Sequence, residues 1–309
     1  MGAAKELSNA DGAFGKNNPS VVLVTYSRPD LLRECLNSLV SNSRLEGKKV
    51  IVIWQKGHPE IGLVLSDFEK YIDLLIQVDG ASRSTVQNIS HNRFLGNSIA
   101  FDFYQSPWVL GIEEDVQISN DALLFIEEMF WRYRKYAHFR GVNLGSIEHQ
   151  SNAKPSEYSL LRFGLHGPAS MITRKTWQKF DNSKLLSLGE HDLFDGIFEH
   201  YLKTGFMVTP NRSKFLDQGW GGSHTPKSPT DRYFAEMQKS FILKPNLQKS
   251  DFVRLDIIHF WRYDVTNYRK KSQILFWIRY WTLNSRSAIF RNLAMSINIK
   301  LKRLRATFE

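Results

Sequence analysis

VVLVTYSRPDLLRECLNSLV, residues 21–40, is the stretch on which the fold turns. Val21 to Val24 are apolar on both faces, the pattern of a strand covered on two sides and paired in parallel. Leu31, Leu32, Cys35, Leu36 and Leu39 follow at helical spacing, with Pro29 near the first turn. Strand then helix is half of a βαβ unit. Outward from it, Lys49 to Trp54 (KVIVIW), Leu74 to Val78 (LLIQV) and Trp108 to Ile112 (WVLGI) read as three more buried strands. Ser66 to Tyr71 reads as a short helix, Asn88 to Tyr104 as an amphipathic helix carrying His91 and Arg93, and Asp121 to Tyr136 as a helix capped by Asn120. Beyond these come a strand-like GVNLGSI, a Gly-rich stretch (Phe163 to Ala169), helices around Lys175 to Phe180 and Asp192 to Lys203, and a polar loop from Asp217 to Pro229. The alternation predicts an α/β fold with a mostly parallel central sheet and ligands at the carboxyl ends of its strands.

Composition narrows the class. With 309 residues, 42% of them hydrophobic, the chain can bury a large core, which excludes global disorder and a small disulfide scaffold. One cysteine, Cys35, forms no intramolecular bridge and points to a reducing compartment. The net charge of +10 resembles that of a nucleic-acid binder, but its location argues otherwise. From Arg269 to the end there are ten Lys/Arg and one acid, Glu309, so the preceding chain is nearly neutral. Three parts are expected: a disordered lead over 1–18, a catalytic domain over 19–250, and a helical, basic-aromatic extension over 251–309. Residues 1–18 do not read as a signal peptide, and no apolar run approaches the roughly 20 residues a spanning helix needs.

The acidic run Glu113-Glu114-Asp115, ending the WVLGI strand, is the most informative local feature. Read as exposed carboxylates at the sheet's edge, the three are costly to hold together unless something positive neutralises them. A hard divalent cation bridging a diphosphate is one partner that does so. A solvated acidic turn leading into the next helix is the other reading. Zinc is disfavoured by the single cysteine, and no phosphate-loop signature is present.

Seven segments occur together: VTYSRPDLLRECLNSL, LIQVDGASR, HNRFLGNSIAFDF, WVLGIEEDVQISNDALLFIEEMF, FGLHGPASMITRKTW, FDGIFEHYL and TPNRSKFLDQGWGGSHT. In order and spacing they resemble a glycosyltransferase of the GT-A (Rossmann-like) fold. They are similar, more narrowly, to the inverting beta-1,2-N-acetylglucosaminyltransferase I family. The resemblance spans about Ser20 to Thr225, roughly two thirds of the chain.

The resemblance implies a manganese- or magnesium-dependent enzyme that uses a nucleotide sugar, UDP-GlcNAc first among donors. It places Arg28, Asp79 and His91 around the uracil base, Glu113 and Glu114 at the ribose and donor sugar, and Asp115 on the metal. Glu114 stands where the family has aspartate, and His166 and Pro168 depart from its pattern at the sugar site, which loosens the donor assignment. Asp195 matches the general base, with Asp192 as the alternative and Glu190 a third. Ser223 and His224, in the glycine-rich DQGWGGSHT, match a lid over the diphosphate, Ser223 on phosphate and His224 completing the metal shell.

After about Asp251 the resemblance stops. Trp277, Trp281, Phe276, Phe290 and several aliphatic residues alternate with Arg and Lys, as in a helix lying in an anionic membrane interface; self-packing or dimerisation is the alternative. The expectation is a cytoplasmic enzyme, peripheral on the inner face of the membrane, that adds a sugar to a glycan or lipid-linked acceptor of a bacterial envelope or capsule. It carries no nucleic-acid partner. A catalytically silent nucleotide-sugar-binding relative is the competing function.

Overall fold

The computed structural model describes residues 18–80, 85–146, 154–161, 168–179, 205–219, 241–245, 247–248 and 251–254. The chain divides between Asp256 and Ile257, and every described residue belongs to the first unit. The expected helix over Asp192 to Lys203 and the basic-aromatic extension beyond residue 254 lie outside the described residues, as does the lead over 1–17. Among the described residues no helix is long and apolar enough to cross a membrane.

The expected strands form: β1 (Ser20–Thr25), β2 (Lys49–Gln55), β3 (Leu74–Val78) and β4 (Trp108–Glu113). They pair in parallel in the order β3-β2-β1-β4. The sheet continues from β4 through β8 (Ala169–Thr173), β6 (Phe139–Asn143), β9 (Phe206–Pro210), β7 (Glu157–Leu161) and β11 (Val253–Arg254). This half is mixed, because β8 runs antiparallel to both β4 and β6, and β7 antiparallel to β9. A separate two-stranded ribbon joins β5 (Val116–Ile118) to β10 (Phe215–Asp217).

Helices cover both faces, as doubly apolar strands require. Val21 and Leu23 face α1 (Pro29–Val40), α2 (Pro59–Asp67) and α4 (Ala122–Tyr133) in one core. Val22 turns the other way, packing with Phe101, Tyr104 and Trp177. Phe101 lies in the turn of π-helix (Ile99–Phe103) that follows α3 (Thr85–Ser98), Tyr104 caps that turn, and Trp177 ends the short α5 (Arg174–Trp177). Residues Val21, Val22 and Leu23 are wholly buried, which for each side chain stabilises the fold by roughly 1.5–3 kcal/mol.

Several local expectations are corrected. The helix before β3 is Pro59–Asp67, led by Pro59 and burying Ile61, Val64 and Leu65; of Ser66 to Tyr71 only Glu69–Tyr71 turns, as 3-10 helix. Asp121, not Asn120, takes the N-cap position of α4, and its carboxylate is engaged by Ser119 and Lys214 instead of the helix N–H groups. The start of the supposed polar loop at Asp217 is the last residue of β10. Most consequentially, β4 is an interior strand, and Glu114 and Asp115 are 4% and 7% exposed. Glu114 and Asp115 are thus buried at the carboxyl end of an interior strand, not exposed at the sheet's edge, while Glu113 is half-buried.

Candidate functional site

Strand order reverses at β1: the chain builds β2 and β3 on one side of it and returns to place β4 on the other. In doubly wound sheets the crevice outside the carboxyl ends of two such strands is where ligands bind. Here that crevice is made by Thr25 to Arg28 at the end of β1 and by Glu113 to Asp115 at the end of β4. The register pairs Val24 with Glu113, which brings the next residues, Thr25 and Glu114, side by side.

Glu114 is held by the β1 turn. Its Oε2 accepts hydrogen bonds from Thr25 Oγ1 (2.7 Å), the Tyr26 N–H (2.7 Å) and the Ser27 N–H (3.2 Å), and its Oε1 from Arg28 Nε (2.8 Å). Burial opposes ionisation of this carboxyl, but the bonds from Arg28, the Tyr26 N–H and Thr25 outweigh it and leave the pKa lowered. Arg28 continues onto the next acid, its Nη2 lying 2.8 Å from Asp115 Oδ2. Burial raises the pKa of Asp115, with Glu114 adding to the effect and Arg28 opposing it. The other oxygen, Asp115 Oδ1, is buried with no hydrogen-bond partner among the described residues. Such an atom costs about 1–3 kcal/mol unless a ligand meets it.

Below this pair sits Cys35, whose Sγ is 3.6 Å from the Glu113 carbonyl. Burial, with Asp115 and Glu114 adding, pushes its thiol up, so it is a core residue and no nucleophile. Glu113 faces the opposite layer, where Arg93 Nη1 of α3 lies 3.7 Å away. Arg93 is 4% exposed and reaches Glu113 by passing over Gly111, donating to its carbonyl at 3.1 Å. A Cβ at 111 would meet the guanidinium at 2.5 Å, so β4 needs glycine there.

The third carboxylate of the crevice was not foreseen. Asp217 ends β10, and the ribbon register sets it opposite Val116, next to Asp115. Burial and the charge of Asp115 push its pKa up to about 6, against the Gly219 N–H and Arg28. Thr25, the Tyr26 N–H and Ser27 were also missed. So were Gln55 and Asn92, both 7% exposed, which approach each other at 3.4 Å between the end of β2 and α3.

The sequence-predicted residues therefore separate into three sets. Arg28, Glu114 and Asp115 are brought into one cluster, with Arg28 on the carboxylates it was expected to stand apart from. Asp79 is 89% exposed at the side chain, 3.8 Å from Lys56, and His91 is half-buried on α3 with an interaction of its own. Asp192, Asp195, Ser223 and His224 lie outside the described residues, as do Glu190 and His166.

Among the described residues no three His, Cys, Asp or Glu side chains converge into a metal shell. A manganese or magnesium site does not require one, since such ions commonly use one or two carboxylates and take the remaining ligands from water and phosphate. Buried hard oxygen donors, one of them without a partner, fit that mode of binding.

No protein-family model matches this chain, and no curated protein does. Among solved structures it resembles residues 1–349 of S. aureus TarS, with TM-score 0.47 and 14% identity over 86% of this chain and 79% of that one. The same stretch of TarS in complex with UDP-GlcNAc gives TM-score 0.47 and 12% identity over 86% and 80%. The mannosyltransferase PcManGT from Pyrobaculum calidifontis, in complex with GDP-Man and Mn2+, gives TM-score 0.38 and 13% identity over 53% of this chain. The match spans 46% of the mannosyltransferase, and 36% of a longer TarS structure.

Proposed function

We propose that this chain is a metal-dependent inverting glycosyltransferase of the GT-A type, with UDP-GlcNAc as its donor. One observation carries the reading: a buried carboxylate with an unpartnered oxygen, Asp115, stands at the topological switch point of the sheet beside a fixed arginine. The resemblance of the seven segments supports the choice of chemistry.

In this scheme Asp115 holds a manganese or magnesium ion, with His224 completing the shell. The bound ion supplies charge neutralisation for the leaving diphosphate. Glu114 keeps the turn at Thr25 to Arg28 in one conformation, so that Arg28 is positioned against the same carboxylates and its charge limits their mutual repulsion. Asp79, His91, Gln55 and Asn92 line the base side of the crevice. Glu113, oriented by Arg93, reaches the ribose and sugar. Asp195, or Asp192, takes the acceptor hydroxyl proton, allowing attack on the anomeric carbon from the face opposite the diphosphate. Ser223 closes on the phosphates. The acceptor is a glycan or lipid-linked sugar, and the basic-aromatic extension holds the enzyme on an anionic membrane surface at the cytoplasmic face.

Asp115→Ala is expected to abolish sugar transfer and weaken nucleotide binding, whereas Asp195→Ala abolishes transfer with donor affinity kept. Isothermal titration with UDP and Mn2+ beside a donor-consumption assay reads both. Full transfer by Asp115→Ala, or in excess chelator, sinks the metal-dependent scheme, and nucleotide binding without turnover under any acceptor favours a silent binding relative.

A further inference from the structure

Building on the reading that Asp115 holds a divalent cation, we infer that Asp217 is a second carboxylate of the same cation site. The ribbon brings it near: Asp217 pairs with Val116, and the Gln218 N–H donates to the Asp115 carbonyl at 2.8 Å, so Asp217 ends β10 beside the residue that leads into β5. Gly219 shows what lies between them. A Cβ on Gly219 would fall inside the contact shell of Asp115 Oδ2 and lie 3.1 Å from Asp217 Oδ1. Both carboxylates therefore press on Gly219 from the same side, and a side chain at 219 would displace them. Its backbone is not in the left-handed region, so space, not conformational freedom, is what glycine provides here. The Gly219 N–H donates to Asp217 Oδ1 at 2.8 Å and fixes the orientation of that carboxylate.

The independent sign is Asp115 itself, 7% exposed, with Oδ1 unpartnered among the described residues. Charge points the same way. Arg28 brings a single positive charge to Glu114 and Asp115, and Asp217 adds a third carboxylate to that surrounding. The excess of two negative charges over one guanidinium matches a divalent ion bound by oxygen. Two carboxylates with water and phosphate completing the shell is an ordinary arrangement for magnesium and manganese.

The test is direct binding of Mn2+ to the full-length protein, read as loss of the free-ion electron paramagnetic resonance signal, with and without UDP. Asp217→Asn keeps an acceptor for the Gly219 N–H but removes the charge. It is expected to weaken Mn2+ binding at least threefold, while Asp115→Asn loses it. Asp217→Ser, which also removes the charge, carries the same threefold expectation and serves if Asp217→Asn does not melt cooperatively. Affinity within threefold of wild type in these variants, with Asp115→Asn still defective, overturns the role of Asp217 alone. No binding by the wild-type protein, or unchanged binding by Asp115→Asn, overturns the cation reading itself and this inference with it.

Discussion

The two ends of the β5–β10 ribbon handle buried charge in opposite ways. At one end, where the Ser119 N–H donates to the Lys214 carbonyl, Lys214 pairs with Asp121. Both side chains are almost fully buried, at 2% and 3% exposure, and both are well served. Asp121 also accepts from Ser119 Oγ at 2.6 Å; Lys214 Nζ also donates to the Pro155 carbonyl at 3.1 Å and lies over the rings of Phe125 and Phe252. At the other end, Glu114 and Asp115 share a half-exposed arginine with Asp217 close by, and one oxygen of Asp115 has no partner among the described residues. One cation for one anion, fully coordinated, describes a clamp. An acidic excess with an unpartnered oxygen describes a site prepared for something not in the chain.

The largest expected effect breaks the clamp. Lys214→Met leaves Asp121 buried and unpaired, and should lower unfolding free energy by about 3–5 kcal/mol in urea denaturation. Adding Asp121→Leu removes the orphaned charge and should recover most of that loss. Comparable losses in the single and double variants would show that the pair contributes more than mutual neutralisation.

At the other end the consequences fall on activity. Asp115→Asn should leave the melting temperature at or above that of the wild type, yet reduce metal-dependent transfer by at least about 100-fold, the scale on which metal-ion charge stabilisation operates. A steep loss of stability in this variant would make the two ends alike and remove the distinction.

Asp217 gives a pH test with an unusual sign. Its pKa is raised from 3.8 to about 6 on folding, so between these values the folded chain binds the proton more tightly than the unfolded chain does. The carboxyl therefore costs nothing below pH 3.8, and its penalty grows until it is complete above pH 6. Without divalent metal, Asp217→Asn should be more stable than wild type at pH 8, by on the order of 2 kcal/mol, and indistinguishable from it near pH 4. Thermal melts across that range in chelator measure the difference. A variant less stable at pH 8 would show that Asp217 is a structural anchor like Asp121. The smallest effect belongs to an ion pair outside both ends: Asp67→Asn, which breaks the exposed contact with Arg33, should change stability by less than about 0.5 kcal/mol.

This contrast also explains what was legible in the sequence. Val21 to Val24, KVIVIW and WVLGI are continuous apolar runs because they are interior strands, and their order is local in the chain; LLIQV, expected as a buried strand, forms instead the edge of the sheet with Leu75 exposed. Pro59 with Ile61, Val64 and Leu65 carries an equally local helix signal, immediately upstream of the segment Ser66 to Tyr71. The strands β7, β8 and β10 were not legible, because they are short and exist through pairings between distant residues. Ala169–Thr173 in particular was hidden behind its glycine-rich approach. The site divides along the same line. Arg28 and Asp115 follow apolar strands and could be read, whereas Asp217 acquires meaning only from the register of β10 on β5. Glu114 could be read as acidic but not as the acceptor that organises Thr25 to Arg28, since that depends on β1 and β4 being neighbours.

The central claim is that the crevice outside β1 and β4 performs metal-dependent transfer from a nucleotide sugar. Release of UDP from UDP-GlcNAc by the full-length protein, followed with Mn2+ and with chelator, tests it most directly. The account predicts release that requires Mn2+, disappears in chelator and disappears in Asp115→Asn. Release undiminished by chelator, or no release from any nucleotide sugar in a panel while the protein is folded and supplied with Mn2+ and glycan acceptors, would contradict it.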